Sequence, residues 1–291
     1  MPNKPQHASE YRSEYVKAVR ATCLYVATKL GDLMDEIVVI GGLIPSLLIH
    51  PEELPAGTPE HVGTMDLDVG LALALLGEGR YRSLTGRLRD AGFTQDLSED
   101  GRPTRQRWRI LGTESVTVDF LIPPSSDADQ GGTLRDIEAD FAAIIAPGLT
   151  LAFQDRDRIR LEGRTIRGER AARDVWVCGP GALVVLKALA FEMRGENKDA
   201  YDLFYMIRNY GKSVEDVAVR LRPLLIDGQA QQALTILRRD FLDIDGVGPR
   251  RVADFLVRAP NEAIQAEVVG FVSRLLELCA ETNQGSQVIH S

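Results

Sequence analysis

Cysteine, histidine and lysine are scarce in this chain of 291 residues, and each scarcity removes a class of chemistry. The three cysteines, Cys23, Cys178 and Cys279, are scattered without metal-ligand spacing, and the four histidines are equally dispersed, so a zinc site is not expected. No apolar run approaches the length of a membrane span, and the opening Met1-Pro2-Asn3-Lys4-Pro5-Gln6-His7 is polar rather than signal-like. The expectation is a reduced, cytoplasmic protein with no membrane partner. No internal repeat is detectable. Only six of the 34 basic residues are lysine, so arginine carries most of the positive charge. A net charge of −8 argues against a surface uniformly suited to nucleic acid. The apolar and charged fractions, 44% and 26%, are those of an ordinary globular protein, and the length suits one domain with a sizeable appendage.

Against this background, Thr64-Met65-Asp66-Leu67-Asp68-Val69 stands out. Alternate residues of a strand share a face, so Asp66 and Asp68 project together while Met65, Leu67 and Val69 point the other way. Two carboxylates held that close repel, and a divalent cation resolves the conflict; Mg²⁺ commonly takes one or two carboxylates plus substrate phosphates. The alternative is an edge strand with two solvated aspartates. Upstream, Glu36-Ile37-Val38-Val39-Ile40-Gly41-Gly42 reads as a buried strand ending in a tight turn, and Leu43–His50 as a helix with proline in its first turn. That junction either offers backbone N–H groups to an anion or is an ordinary turn needing glycine. Downstream, Val116-Thr117-Val118-Asp119-Phe120-Leu121-Ile122 is an apolar strand with one acid. Asp119 is a third candidate carboxylate, as metal ligand or as base, unless it simply reaches solvent before Pro123-Pro124.

Strand, Gly-Gly, helix, Asp-x-Asp and a later lone Asp, in that order, resemble the nucleotidyltransferase superfold of the DNA polymerase β type over roughly residues 35 to 125. A second block, from Leu186-Lys187-Ala188 through Gly195-Glu196-Asn197-Lys198-Asp199 to Tyr201-Asp202-Leu203, is similar to the helical signature of AbiEii-type nucleotidyltransferases, which include the abortive-infection and MenT toxins. On its own chemistry, a lysine at 187 on an apolar helix needs a partner, either a triphosphate or an acidic residue. Lys198 and Asp202 have i, i+4 spacing, and Asn197 suits an N-cap. A surface ion pair without function is the competing reading for Lys198 and Asp199. The resemblance implies an α+β fold, with a mixed sheet and flanking helices over residues 1–178 and a helical region over 179–291 contributing Lys and Asp to the active-site cleft. It implies Mg²⁺ or Mn²⁺ on Asp66, Asp68 and Asp119, with Lys187 and Asp202 also catalytic. It also implies a nucleoside triphosphate bound near Gly41, Gly42, Thr64, Lys187, Arg194 and Lys198. The implied product is a nucleotide-modified acceptor, with the tRNA 3′ end first among candidates and an antitoxin as a possible partner protein. Substitution of Asp66 or Lys187 by alanine is then expected to abolish transfer and leave the fold intact. One departure is that Gly42 stands where many nucleotidyltransferases place serine, removing a hydroxyl contact to phosphate. A small-molecule or protein acceptor, or a non-catalytic regulatory protein, are the rival readings.

Two stretches are rich in arginine: residues 80–109 hold eight with four acids, and residues 156–173 hold seven with three acids. They form either a basic strip for RNA phosphates or surfaces whose charges pair locally. Elsewhere the pattern gives an amphipathic helix over 10–31, a helix over 80–91, and strands 105–111 and 115–122 paired across Gly112-Thr113-Glu114. It gives a polar loop over Ser125–Gly132, several short strands over 149–178, helices over 181–280 and a loose tail from Thr282. His61 is left outside the catalytic set, and Tyr201 and Tyr205 suit a core better than base stacking.

Overall fold

Ile37–Ile40 is a run of four β-branched residues, and in the computed structural model all four are buried, which makes this segment, β1, an interior strand. The structure describes residues 5–72, 80–98, 100–112, 114–126 and 128–285. β1 runs antiparallel to β2 (Asp66–Leu71), with Ile40 opposite Asp68, and parallel to β9 (Arg170–Cys178). β2 lies parallel to β5 (Ser115–Ile122), and Asp68 faces Asp119 across that pair. Beyond β5, β4 (Pro103–Leu111) and β3 (Thr94–Leu97) follow antiparallel, while β8 (Arg156–Arg164) pairs antiparallel with β9 at the other edge. β7 (Phe141–Ile145) joins β5 in parallel and carries β6 (Leu134–Glu138) antiparallel. The result is a nine-stranded mixed sheet.

Helix α1 (Ser13–Leu30) covers one face of this sheet against β8 and β9. Its Val19, Cys23, Val26 and Leu30 are buried, as helical spacing requires of the face that meets a sheet. α3 (Arg80–Asp90) packs on α1. Phe120 and Phe141 meet edge to face at 5.4 Å, and Trp108 approaches Phe141 at 6.4 Å, which fixes β7 against the β4–β5 hairpin. The chain is thus α+β, with a mixed sheet and flanking helices.

By its internal contacts the chain divides into two units. One takes Arg12–Leu47 and Val62–Cys178 and holds the sheet; the other takes Met1–Tyr11, Leu48–His61 and Gly179–Ser291. The second unit is helical: α5 (Pro180–Arg194), α6 (Asn197–Asn209), α7 (Val214–Leu221), α8 (Gly228–Asp240), α9 (Val247–Val257) and α10 (Glu262–Gly285). α5 packs on α6, α7 and α8, and α9 packs on α6 and α10. Gly181 lets α5 approach the backbone of α7, since a Cβ there would stand 2.7 Å from the carbonyl carbon and oxygen of Arg220. No helix among the described residues is long and apolar enough to cross a membrane.

Several local expectations are corrected. After the strand, Gly41–Leu43 is a 3₁₀ turn and α2 (Ile44–Leu48) is only five residues long. The helix cannot continue because His50 precedes Pro51, which disfavours helical geometry, and His50 is extended. In place of several short strands, residues 156–178 form one long hairpin, β8–β9, after a single helical turn, α4 (Leu151–Gln154). The two arms pair without a break from Arg156 opposite Cys178 to Arg164 opposite Arg170. Strands β6 and β7 were not anticipated. Glu196, not Asn197, is the cap residue of α6; Asn197 begins the helix and donates from its side chain to Asp254 Oδ2 at 2.5 Å. α10 continues through Gly285, past the expected loosening at Thr282, and the tail from residue 286 lies outside the described residues. The helix at 80–91, the antiparallel pairing of strands 105–111 and 115–122 and helix α1 are as expected.

Candidate metal centre and a buried charge network

The sheet brings three acids together. Asp66 and Asp68 share one face of β2, with Leu67 and Val69 buried on the other. The parallel register of β2 and β5 then sets Asp119 beside Asp68. One carboxylate oxygen from each of the three lies within 4.8 Å of the others. Asp66 and Asp68 are half-buried and Asp119 is buried. All-oxygen, all-anionic donors at this spacing suit a hard divalent cation, and no cysteine or histidine belongs to the group. The three could hold one metal ion.

Neighbouring residues shape this cluster. Thr64 donates its hydroxyl to Asp66 Oδ1 at 2.5 Å. Gly41 has φ +78°, and a Cβ there would stand 2.1 Å from Asp68 Oδ2, so the glycine both makes the turn and leaves room for the carboxylate. Gly42 is buried in the same turn. Arg107, on β4 directly opposite Asp119, donates Nε to Asp119 Oδ1 at 2.7 Å and Nη2 to Oδ2 at 2.5 Å. This two-point fork fixes the plane of Asp119. The bond to Asp119 pushes the Arg107 guanidinium further into its charged range against the opposing effect of burial, and the fields of Asp66 and Asp68 add to it. Arg107 was missed by the sequence reading, although the predicted hairpin centred on residue 113 already places position 107 opposite 119.

The second group of sequence-predicted residues forms a network in the helical unit. Lys187 Nζ lies 2.9 Å from Asp199 Oδ1 and 2.7 Å from Asp202 Oδ2. Of the two partners its position asked for, the structure gives it acids. Arg194 grips Asp199 through Nε at 2.6 Å and Nη2 at 2.8 Å. Lys198 donates to Asp202, whose Oδ1 also meets His61 Nε2 at 2.8 Å. Lys187, Lys198, Asp199, Asp202 and His61 are all buried, so the ion pairs of Lys198 with Asp202 and of Asp199 with Lys187 are not surface ones. Burial opposes charge on Lys187, yet Asp202 and Asp199 overcome it and raise its pKa. Asp199 falls to about 2 because Lys187 and Arg194 outweigh its own burial. His61 is stacked on Tyr201 at 5.1 Å and meets Tyr205 edge-on at 4.9 Å, and both tyrosines are core residues, as their spacing suggested. Burial, aided by Lys198, lowers His61 to about 4 despite the bond to Asp202.

Most arginines of the 80–109 stretch are paired locally. Arg82 meets Glu138, Arg87 meets Asp32, Arg89 meets Asp140, and Arg102, Arg105 and Arg109 meet Asp100, Asp136 and Asp96. Each of these six guanidiniums thus faces a carboxylate. No protein-family model matches the chain, and no curated protein sequence matches it.

Two outcomes follow from the buried network. Lys187→Ala leaves two carboxylates without their shared cation and is expected to destabilise the protein by about 3–5 kcal/mol in urea unfolding. An unfolding midpoint equal to wild type would contradict this. His61 binds its proton in the unfolded chain near 6.5 but in the folded one only near 4. Its contribution is therefore complete above pH 6.5 and is lost as pH falls toward 4. Asp199 and Asp202, whose pKa values are lowered from 3.8, act only below that window. Urea midpoints at pH 7 and pH 5 should fall more for wild type than for His61→Gln; equal falls would remove His61 from the account.

Proposed function

We propose that this protein is a metal-dependent nucleotidyltransferase with a polymerase β-like catalytic core, transferring a nucleoside monophosphate from a triphosphate to RNA. The observation that carries the reading is the convergence of Asp66, Asp68 and Asp119, with one oxygen of each within 4.8 Å of the others. These residues would hold Mg²⁺ or Mn²⁺, which when bound neutralises charge on triphosphate oxygens and on the departing pyrophosphate. The chain's own contributions are orientation and shape. Arg107 holds Asp119 in one plane and stabilises its negative charge, which suits a ligand better than a proton acceptor. Thr64 orients Asp66, and the left-handed Gly41 keeps the space beside Asp68 open. Backbone approach at Gly41-Gly42 takes the place of the missing serine hydroxyl.

Lys187, Lys198, Arg194 and Asp202 enter this reading as a set that locks α5 to α6, because the cations already hold buried carboxylates. The similarity of the Leu186–Leu203 block to AbiEii and MenT proteins supports RNA as acceptor, the tRNA 3′ end first, and a role as the toxin of a two-component system.

The test is incubation with Mg²⁺, total tRNA and each labelled nucleoside triphosphate in turn. Label on tRNA should require the metal and fall by at least about 10²-fold in Asp66→Ala and Asp68→Asn. A folded Asp66→Ala protein that still labels tRNA would contradict the reading. Metal-dependent triphosphate binding without tRNA labelling would move the acceptor to a protein or small molecule.

A further inference from the structure

The two arginine-rich stretches differ in how their charge is used. On β8, Arg156, Arg158, Arg160 and Arg164 alternate onto one face, and Arg170 stands opposite Arg164 at the hairpin tip. The same face carries only two acids, Glu162 and Asp174. Its reverse holds Leu161, Val175 and Val177, buried on the side where α1 packs. Asp174 is shared between Arg158 at 3.3 Å and Arg160 at 3.5 Å, long contacts between side chains that are 61% and 63% exposed. Such pairs contribute little and leave guanidinium N–H groups for another acceptor. Arg156, Arg164 and Arg170 have no carboxylate partner among the described residues, in contrast to the paired arginines of β4 and α3.

Trp176 gives this face its order. It lies opposite Arg158 in the register, with the Arg156 guanidinium 4.1 Å and that of Arg158 5.9 Å from the ring centroid. A ring that holds two guanidiniums in place lowers the side-chain entropy lost when they bind an anion. Arginines two residues apart on a strand repeat at roughly 6.6 Å, which sets out planar two-point donors in a row. A row of forks beside an indole matches a chain of phosphates carrying stackable bases better than it matches isolated anions.

We propose that this outer face of the β8–β9 hairpin binds the phosphate backbone of single-stranded RNA, a docking surface for the acceptor. It rests on the reading of RNA as acceptor, but binding is measurable without metal, triphosphate or transfer.

The experiment is fluorescence anisotropy of the full chain with a short labelled oligoribonucleotide across a salt series. A triple variant, Arg156→Ala, Arg158→Ala and Arg160→Ala, should weaken binding at least about tenfold at about 0.1 M salt. It should also flatten the log K against log salt slope by about 2, since each phosphate that an arginine neutralises adds about 0.7 to that slope. Arg164→Ala with Arg170→Ala, at the exposed tip, should act in the same direction and guards against misfolding of the triple variant. Arg135→Ala, whose less exposed guanidinium is held by Asp129, should leave binding unchanged. Equal weakening in all three variants, no binding by wild type, or tighter binding to anionic phospholipid vesicles through the same arginines would overturn the proposal. Metal-dependent triphosphate binding that persists in those cases would leave the catalytic reading standing.

Discussion

One register governs the candidate centre: β2 and β5 run parallel with Asp68 facing Asp119. A shift of one residue would turn Asp119 to the opposite face of the sheet and place Val118 or Phe120, both core residues, beside the acids. The apolar partners on the reverse of both strands, Leu67, Val69, Val118 and Phe120, therefore hold the carboxylates together as firmly as they hold the core. Packing enforces a concentration of like charge that electrostatics alone would disperse. Arg107, delivered by the neighbouring antiparallel strand, and Gly41, delivered by the end of β1, adapt to that arrangement.

The helical unit handles charge in the opposite way. Its acids and bases are mixed, mostly buried and mutually bonded, and burial beside Lys198 lowers the pKa of His61, which lies between them and two tyrosine rings. Such a network is sensitive to removal of any member, because a buried charge left alone is far costlier than an exposed one. The acidic triad can lose a member and relieve repulsion; the network cannot. This difference separates a cluster of like charge from a network of opposite charges, although both were drawn from the same kinds of residue.

Strict alternation and apolar runs made the strands bearing Asp66, Asp68 and Asp119 legible, because a half-buried strand leaves a period of two in the sequence. The 112–114 turn likewise contained the pairing of Arg107 with Asp119, since hairpin register follows from the turn. What stayed hidden depended on long-range contacts. Nothing local says that Lys187 meets Asp199 and Asp202 rather than a phosphate, or that His61 reaches Asp202 from 141 positions away. The short α2 was readable from Pro51, whereas β6 and β7 owe their pairing to β5 and to Phe120 and Trp108 against Phe141.

Whether the three carboxylates act as one cation site is tested most directly by titrating Mn²⁺ into the wild-type protein, with the free-ion electron paramagnetic resonance signal as readout. Wild type should suppress the free-ion signal until the site fills, and Asp68→Asn should leave it close to that of buffer. A wild-type protein that never depletes free Mn²⁺, or an Asp68→Asn protein that depletes it equally, would contradict the central claim.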